Sequence, residues 1–111
     1  LPHCIIEYSE NFKESIDEII YSVHRGALAS GLFDESDIKT RSVSYENFQT
    51  GTSKKSFIHV SSKILLGRSS DQKSELSNAI LSQLKKLNFV SCSLTVEVID
   101  IDKASYAKIN V

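Results

Sequence analysis

Apolar positions first appear as a short run, His3-Cys4-Ile5-Ile6-Glu7-Tyr8, closed by the polar Ser9 and Glu10. A run this brief predicts a buried strand rather than a helix. The period then changes: Ile16, Ile19, Ile20, Val23, Ala27 and Leu28 recur at three and four, Asn11 and Glu14 have the spacing of an N-terminal cap, and Gly31 supplies the stop. That is a helix. After the turn segment Asp34-Glu35-Ser36-Asp37, the stretch from Ile38 to Phe48 carries Val43, Tyr45 and Phe48 and predicts a second strand.

The second half repeats the pattern without visibly repeating the residues. Turn chemistry at Gln49 to Ser53 leads into a run rich in β-formers from Ser56 to Leu66, a third strand. Gly67-Arg68-Ser69 breaks it, Ser69 and Gln72 have cap spacing, and Leu76, Ile80, Leu84 and Leu87, with Ala79 beside them, mark the apolar face of a second helix. Leu94, Val96 and Val98 alternate within a fourth strand, Ser93 to Ile101. The order β-α-β, turn, β-α-β predicts an α/β (α+β) domain over residues 1–111. Right-handed crossovers put both helices on one face of a four-stranded sheet. Ile6, Ile58, Val60 and Leu94 offer more apolar strand surface than two helices cover, which predicts a face or edge that meets another subunit.

Composition narrows the function classes. The 111 residues are 41% hydrophobic and carry a formal net charge of -1. With both signs of charge spread along the chain, nothing attracts a nucleic acid or a membrane surface. No window approaches the roughly 18 continuous apolar residues of a membrane span, and the start lacks the order of a secretory signal, so the expected location is cytoplasmic. Cys4 and Cys92 fall in no metal or redox spacing and read as two small buried residues, with a disulfide between them unexpected in a reducing cytosol.

Pro2 is the only proline. Two readings stand for it. It starts a strand where its missing N–H does no harm, or, if Leu1 is absent, it is a secondary amine that accepts a proton. An α-amino group titrates at ~7.7 to 8.0, and burial beside cations shifts it toward neutrality, as general base catalysis requires.

The start Pro2-His3-Cys4-Ile5-Ile6-Glu7-Tyr8-Ser9 leading into a helix resembles the opening of the tautomerase superfamily. Within it the chain most resembles the 5-carboxymethyl-2-hydroxymuconate Δ-isomerase family, through Leu28-Ala29-Ser30-Gly31-Leu32-Phe33, Ile38-Lys39-Thr40-Arg41, Phe57-Ile58-His59-Val60 and Gly67-Arg68-Ser69. The resemblance implies a homotrimer with the proline amine at the base of each site. It implies an isomerase in which that amine takes a proton from the 2-hydroxyl of a dienol dicarboxylate and returns it to carbon, giving the conjugated 2-oxo-enoate. No metal or organic cofactor takes part in that chemistry.

The resemblance also assigns roles. Arg41 and Arg68 match family positions and would bind the carboxylates of a small polyanionic enol or dienol substrate and stabilise its developing charge, since guanidinium groups grip carboxylates bidentately. As isolated residues they would read as solvated surface arginines. Lys39 stands where the family often has another arginine and lacks the planar fork. Phe57 is either an apolar wall of the site or simply core. His59, on the same side of its strand as Phe57, reads as a hydrogen-bonded interface histidine, His3 as shaping the end of the site, and His24 and Arg25 as surface. Tyr106 to Val111 form a tail shorter than is usual for the family, expected to pack on a neighbour in part. If Leu1 stays attached, Pro2 is an amide and the protein is inactive. Two rivals remain, a tautomerase acting on another enol acid and a non-catalytic ferredoxin-like regulatory module with the same element order.

Overall fold

The computed structural model describes residues 1–111. Strands β1 (His3–Ser9), β2 (Lys39–Tyr45), β3 (Ser56–Leu65) and β4 (Cys92–Ile101) form one sheet, and helices α1 (Ile16–Ala29) and α2 (Ser70–Lys85) make the two crossovers. The spatial order is β2-β1-β3-β4; β1 runs parallel to β2 and antiparallel to β3, and β3 runs parallel to β4. Each β-α-β half thus pairs its own strands directly, as His3 opposite Lys39 and Ser56 opposite Cys92 show. This overturns the ferredoxin-like alternative, whose split β-α-β halves hold another strand between the two that each helix joins.

Alternation along the strands decides what faces the helices. Cys4, Ile6 and Tyr8 of β1 and Ile58, Val60 and Ile64 of β3 meet Ile19, Val23 and Ala27 of α1 and Leu76, Ile80 and Leu84 of α2 in one core. Ile6, Ile58 and Val60 are therefore fully buried beneath the helices, and Leu94 packs on the same core. The expectation that these four leave apolar surface uncovered is corrected, because period-2 alternation turns them all to the covered side. The uncovered face is mixed: one row across it reads Arg41, Ile5, Ser61, Glu97 and the next Val43, Glu7, His59, Thr95. His59 bonds Thr95 Oγ1 at 2.7 Å and Glu97 at 2.5 Å on that face, and Tyr45 donates to Glu7.

The two helix starts differ. Ser69 and Gln72 form a reciprocal capping box, with Ser69 Oγ accepting from the Gln72 N–H at 3.1 Å and Gln72 Oε1 accepting from the Ser69 N–H at 2.9 Å. Asn11 does not cap α1. Residues Glu10–Ser15 form a 3₁₀ segment, Asn11 donates to Ser56 Oγ at 3.0 Å, and α1 begins after Ser15 without a side-chain cap. A tertiary bond to β3 has taken the side chain that the spacing offered to the helix. Strand β2 is also shorter than the apolar pattern predicts, with Phe48 instead stacking edge-on against Phe57 at 5.2 Å.

Gly26 lets α1 and α2 touch through their backbones. A Cβ at that position would stand 2.5 Å from Ile80 Cα and 3.0 Å from the Ala79 carbonyl oxygen. Gly26→Ala is expected to lower stability by up to about 2 kcal/mol, because forcing atoms into a packed contact costs about 1–3 kcal/mol and the ~1 kcal/mol that Ala gains in helix propensity offsets only part of it. A urea midpoint equal to or above the parent's would show that the helices can part freely.

Both cysteines are free, Cys4 buried and Cys92 half-buried. Cys4 lies in register with Ser62 and thence Val98, six residues along β4 from Cys92. At ~3.3 Å per residue the separation is about 20 Å, well beyond the ~7 Å Cα limit of a disulfide.

Candidate active site

Pro2 enters β1 with its ring fully buried and its carbonyl accepting the Lys39 N–H at 3.0 Å. Leu1 lines a cleft of about 590 Å³ between the turn after α1, the end of β3 and the tail after β4, with Leu32, Phe33, Asp37, Leu65, Arg68, Tyr106 and Lys108 among its walls. That volume suits a small organic ligand. Burial is the largest cause that pushes the amine on Leu1 below its ordinary value of 8.0; Lys108 and Lys39 push the same way and Asp37 opposes them.

Arg68 reaches this cleft because Gly67, at φ 132°, turns the chain between β3 and α2. Its Nη2 donates to the Leu32 carbonyl at 2.8 Å and its guanidinium lies 5.9 Å from the Phe33 ring centre. Gly31, at φ 74°, allows the turn that presents both partners. One end of the guanidinium is thus anchored, and the remaining N–H groups are available to an anion.

Arg41 stands across β1 from that arginine, on the uncovered face of the sheet. It lies in register with Ile5, and its Nη1 is 3.1 Å from His3 Nδ1. His3 Nε2 is 2.8 Å from the Tyr106 hydroxyl, which belongs to the cleft wall. Burial, followed by Arg41, Lys39, the N-terminal amine and Lys63, holds the His3 imidazole below its ordinary 6.5. Lys39 is exposed and opposite His3 in register. Pro2, Arg41, Arg68 and Lys39 therefore converge on one end of the sheet.

Phe57 does not join them within one chain. It opens β3 beside Ser9, whose Oγ accepts the Phe57 N–H at 3.1 Å, so it sits at the opposite end of β1 from Pro2. That end is roughly 20 Å away at the rise of a strand, and Phe57 stacks there on Phe48 and Tyr45. The apolar wall of the cleft that Leu1 lines, next in the chain to Pro2, is instead formed by Leu32, Phe33, Ile64 and Leu65.

Sequence reasoning assigned no site role to Asp37, Tyr106 or Lys108, which all line the cleft. Tyr106 follows a short 3₁₀ turn, Lys103–Ser105, that Asp102 caps by accepting the Ala104 N–H at 3.0 Å. The Asp102 cap signal marks a turn that folds the tail back, the one cue that Tyr106 returns to the start of the chain.

A family model described as 5-carboxymethyl-2-hydroxymuconate isomerase matches residues 2–111. Among solved structures the chain is similar to a 5-carboxymethyl-2-hydroxymuconate isomerase from Deinococcus radiodurans R1, with 24% identity, TM-score 0.83, and coverage of 99% of this chain and 90% of that one. It is also similar to a 5-carboxymethyl-2-hydroxymuconate delta-isomerase, at 13% identity and TM-score 0.80 over 99% of this chain and 89% of the other. A fused 4-OT wild type symmetric trimer aligns at 13% identity and TM-score 0.81, over 97% of this chain and 92% of that chain. No curated protein matches the chain.

Proposed function

The chain belongs to the 5-carboxymethyl-2-hydroxymuconate isomerase family, and from that footing we propose that it is a cofactor-independent isomerase of 2-hydroxy-dienoates whose base is the Pro2 amine. The observation that carries this reading is that Leu1 and Arg68 line the same cleft. Removing Leu1 would expose the Pro2 nitrogen to that cleft, facing a guanidinium whose free N–H groups suit a carboxylate.

The reaction follows from the charges. The uncharged nitrogen takes the proton of the substrate's 2-hydroxyl; the electron pair of that O–H bond becomes the carbonyl, the conjugated double bonds shift, and the carbon at the far end takes the proton back from the ring nitrogen. Nothing is oxidised or reduced, so no redox partner is required. Arg68 would hold a carboxylate. Arg41 would act from the neighbouring face on the negative charge that gathers at the 2-oxygen, and Lys39 would add a less directional positive charge. Leu32, Phe33 and Leu65 keep the amine in apolar surroundings, which favours its neutral form.

A homotrimer is part of the proposal. The accessible surface is 6822 Å² for 12.4 kDa, above the ~6100 Å² expected of a compact monomer of that mass. The radius of gyration, 14.4 Å, exceeds the ~13 Å expected. The uncovered sheet face and a tail with Ile109 and Val111 exposed supply surface for neighbours. Phe57 would then serve a site only if a neighbouring subunit brings it there.

The test is ketonisation of phenylenolpyruvate by protein whose chain begins at Pro2. An absorbance change well above the spontaneous rate is expected, from a species of three chains by light scattering. No catalysis at any pH between about 6 and 9, across which an α-amine titrates, would end the enzymatic reading.

A further inference from the structure

Arg41, His3 and Tyr106 form a chain of hydrogen bonds that runs from the uncovered sheet face into the cleft. Its direction is determined. A guanidinium has no acceptor, so Arg41 Nη1 must donate to His3 Nδ1 across 3.1 Å. A neutral imidazole that accepts at Nδ1 carries its hydrogen on Nε2. Nε2 therefore donates to the Tyr106 hydroxyl across 2.8 Å. The phenol oxygen accepts from His3, its own hydrogen has no protein acceptor, and it stands in a cleft wall shared with Leu1 and Arg68.

We propose that Tyr106 is a catalytic residue that donates its hydroxyl hydrogen to the substrate's 2-oxygen as negative charge develops there, with His3 as the positioning residue that fixes it as a donor. The inference rests on the isomerase reading and names a group that reading lacks. Arg68, tied to Leu32 and packed over Phe33, is suited to a carboxylate at the other side of the same cleft. Arg41 then acts through the chain as well as by its field: its charge polarises the imidazole, which polarises the phenol, and bonds linked in this way strengthen one another. The T-shaped contact of the His3 and Tyr106 rings, with centres 6.1 Å apart and planes at 62°, holds the hydroxyl in place. Tyr106 transfers no proton; the proton still travels from the 2-hydroxyl through the Pro2 nitrogen to carbon.

The experiment uses protein beginning at Pro2 and two readouts. In phenylenolpyruvate ketonisation, Tyr106→Phe is expected to lower kcat about 100-fold, the usual effect of losing one donor to a developing oxyanion, with KM changed less than about threefold, as for an interaction made only in the transition state. His3→Gln keeps an amide N–H for Tyr106 and should retain most of the rate, whereas His3→Ala should lose a large part of it. Calorimetry with oxalate, a planar dianion resembling an enolate, should show about tenfold weaker binding to Tyr106→Phe, a hydrogen bond to a charged group being worth that much or more.

A Tyr106→Phe protein with parental kcat and parental oxalate affinity overturns the proposal, as does one in which only KM rises. Equal losses in His3→Gln and His3→Ala would overturn the role given to His3. If the parent binds oxalate but ketonises nothing, a tenfold oxalate difference still upholds Tyr106 as the anion's donor, and the role assigned to Pro2 is what fails.

Discussion

Protein that begins at Pro2 is expected to ketonise phenylenolpyruvate about 10²–10⁴-fold faster than the same chain carrying Leu1, the range that a positioned base contributes. The reason is electronic. In the Leu1-bearing chain the Pro2 nitrogen is an amide whose lone pair is delocalised into the carbonyl, and the free amine has moved one residue outward. Pro2→Ala, also with a free start, should fall between the two. It keeps an amine but loses the buried ring that fixes the nitrogen against the end of β1. Equal rates for Pro2→Ala and its parent, both with free starts, would remove the proline from the chemistry.

The sign of the pH dependence follows from the same surroundings. In the Leu1-bearing chain the terminal amine is held below 8.0, first by burial, with Lys108 and Lys39 acting the same way against the pull of Asp37. A protonated nitrogen has no lone pair, so kcat/KM should be full at alkaline pH and fall as pH drops through the amine's pKa. The Pro2 ring is fully buried, and burial favours an uncharged amine, so the fall should set in at lower pH than for the same amine in open water.

Much of this was legible in the residues, and the exceptions have physical causes. Strand and helix periods are local: Ile19, Val23 and Ala27, or Leu76, Ile80 and Leu84, identify the buried face of each helix before any contact is known. The Ser69–Gln72 cap is equally local and forms as its spacing predicts. Asn11 differs because its rival partner, Ser56, is 45 residues away and invisible to a local pattern. The same holds for the strands' covered side. Alternation says that Cys4, Ile6 and Tyr8 share one face of β1 and Ile58 and Val60 one face of β3, but only the β1–β3 pairing joins the two sets and only the packing of α1 and α2 covers them.

For the site, motif resemblance singled out Pro2, Arg41 and Arg68, and the fold brings them to one end of the sheet. Phe57 shows the limit of that approach. It belongs to the same motif set, yet antiparallel pairing of β3 with β1 carries it to the other end of its own chain, so a site role for it depends on a neighbouring subunit. Tyr106 shows the converse, a residue in an aperiodic tail whose importance lies in a bond to His3 across 103 positions.

Arg68→Ala is expected to lower kcat/KM for phenylenolpyruvate about 10–100-fold, chiefly through KM, because a hydrogen bond to a charged group is worth about 1.5–3 kcal/mol. Folding should be little affected, since the contact it loses, from Nη2 to the Leu32 carbonyl, lies at an exposed position. Arg68→Lys separates charge from geometry. An ammonium cannot hold the Leu32 carbonyl and also present a planar pair of donors to a carboxylate, so it should recover only part of the loss, and that part should fade with added salt. Lys108 already supplies a positive charge in the same cleft, which makes charge alone the weaker explanation of what Arg68 contributes. Parental kcat/KM in Arg68→Ala would mean that Lys108 holds the carboxylate, and full recovery in Arg68→Lys that the fork is not used.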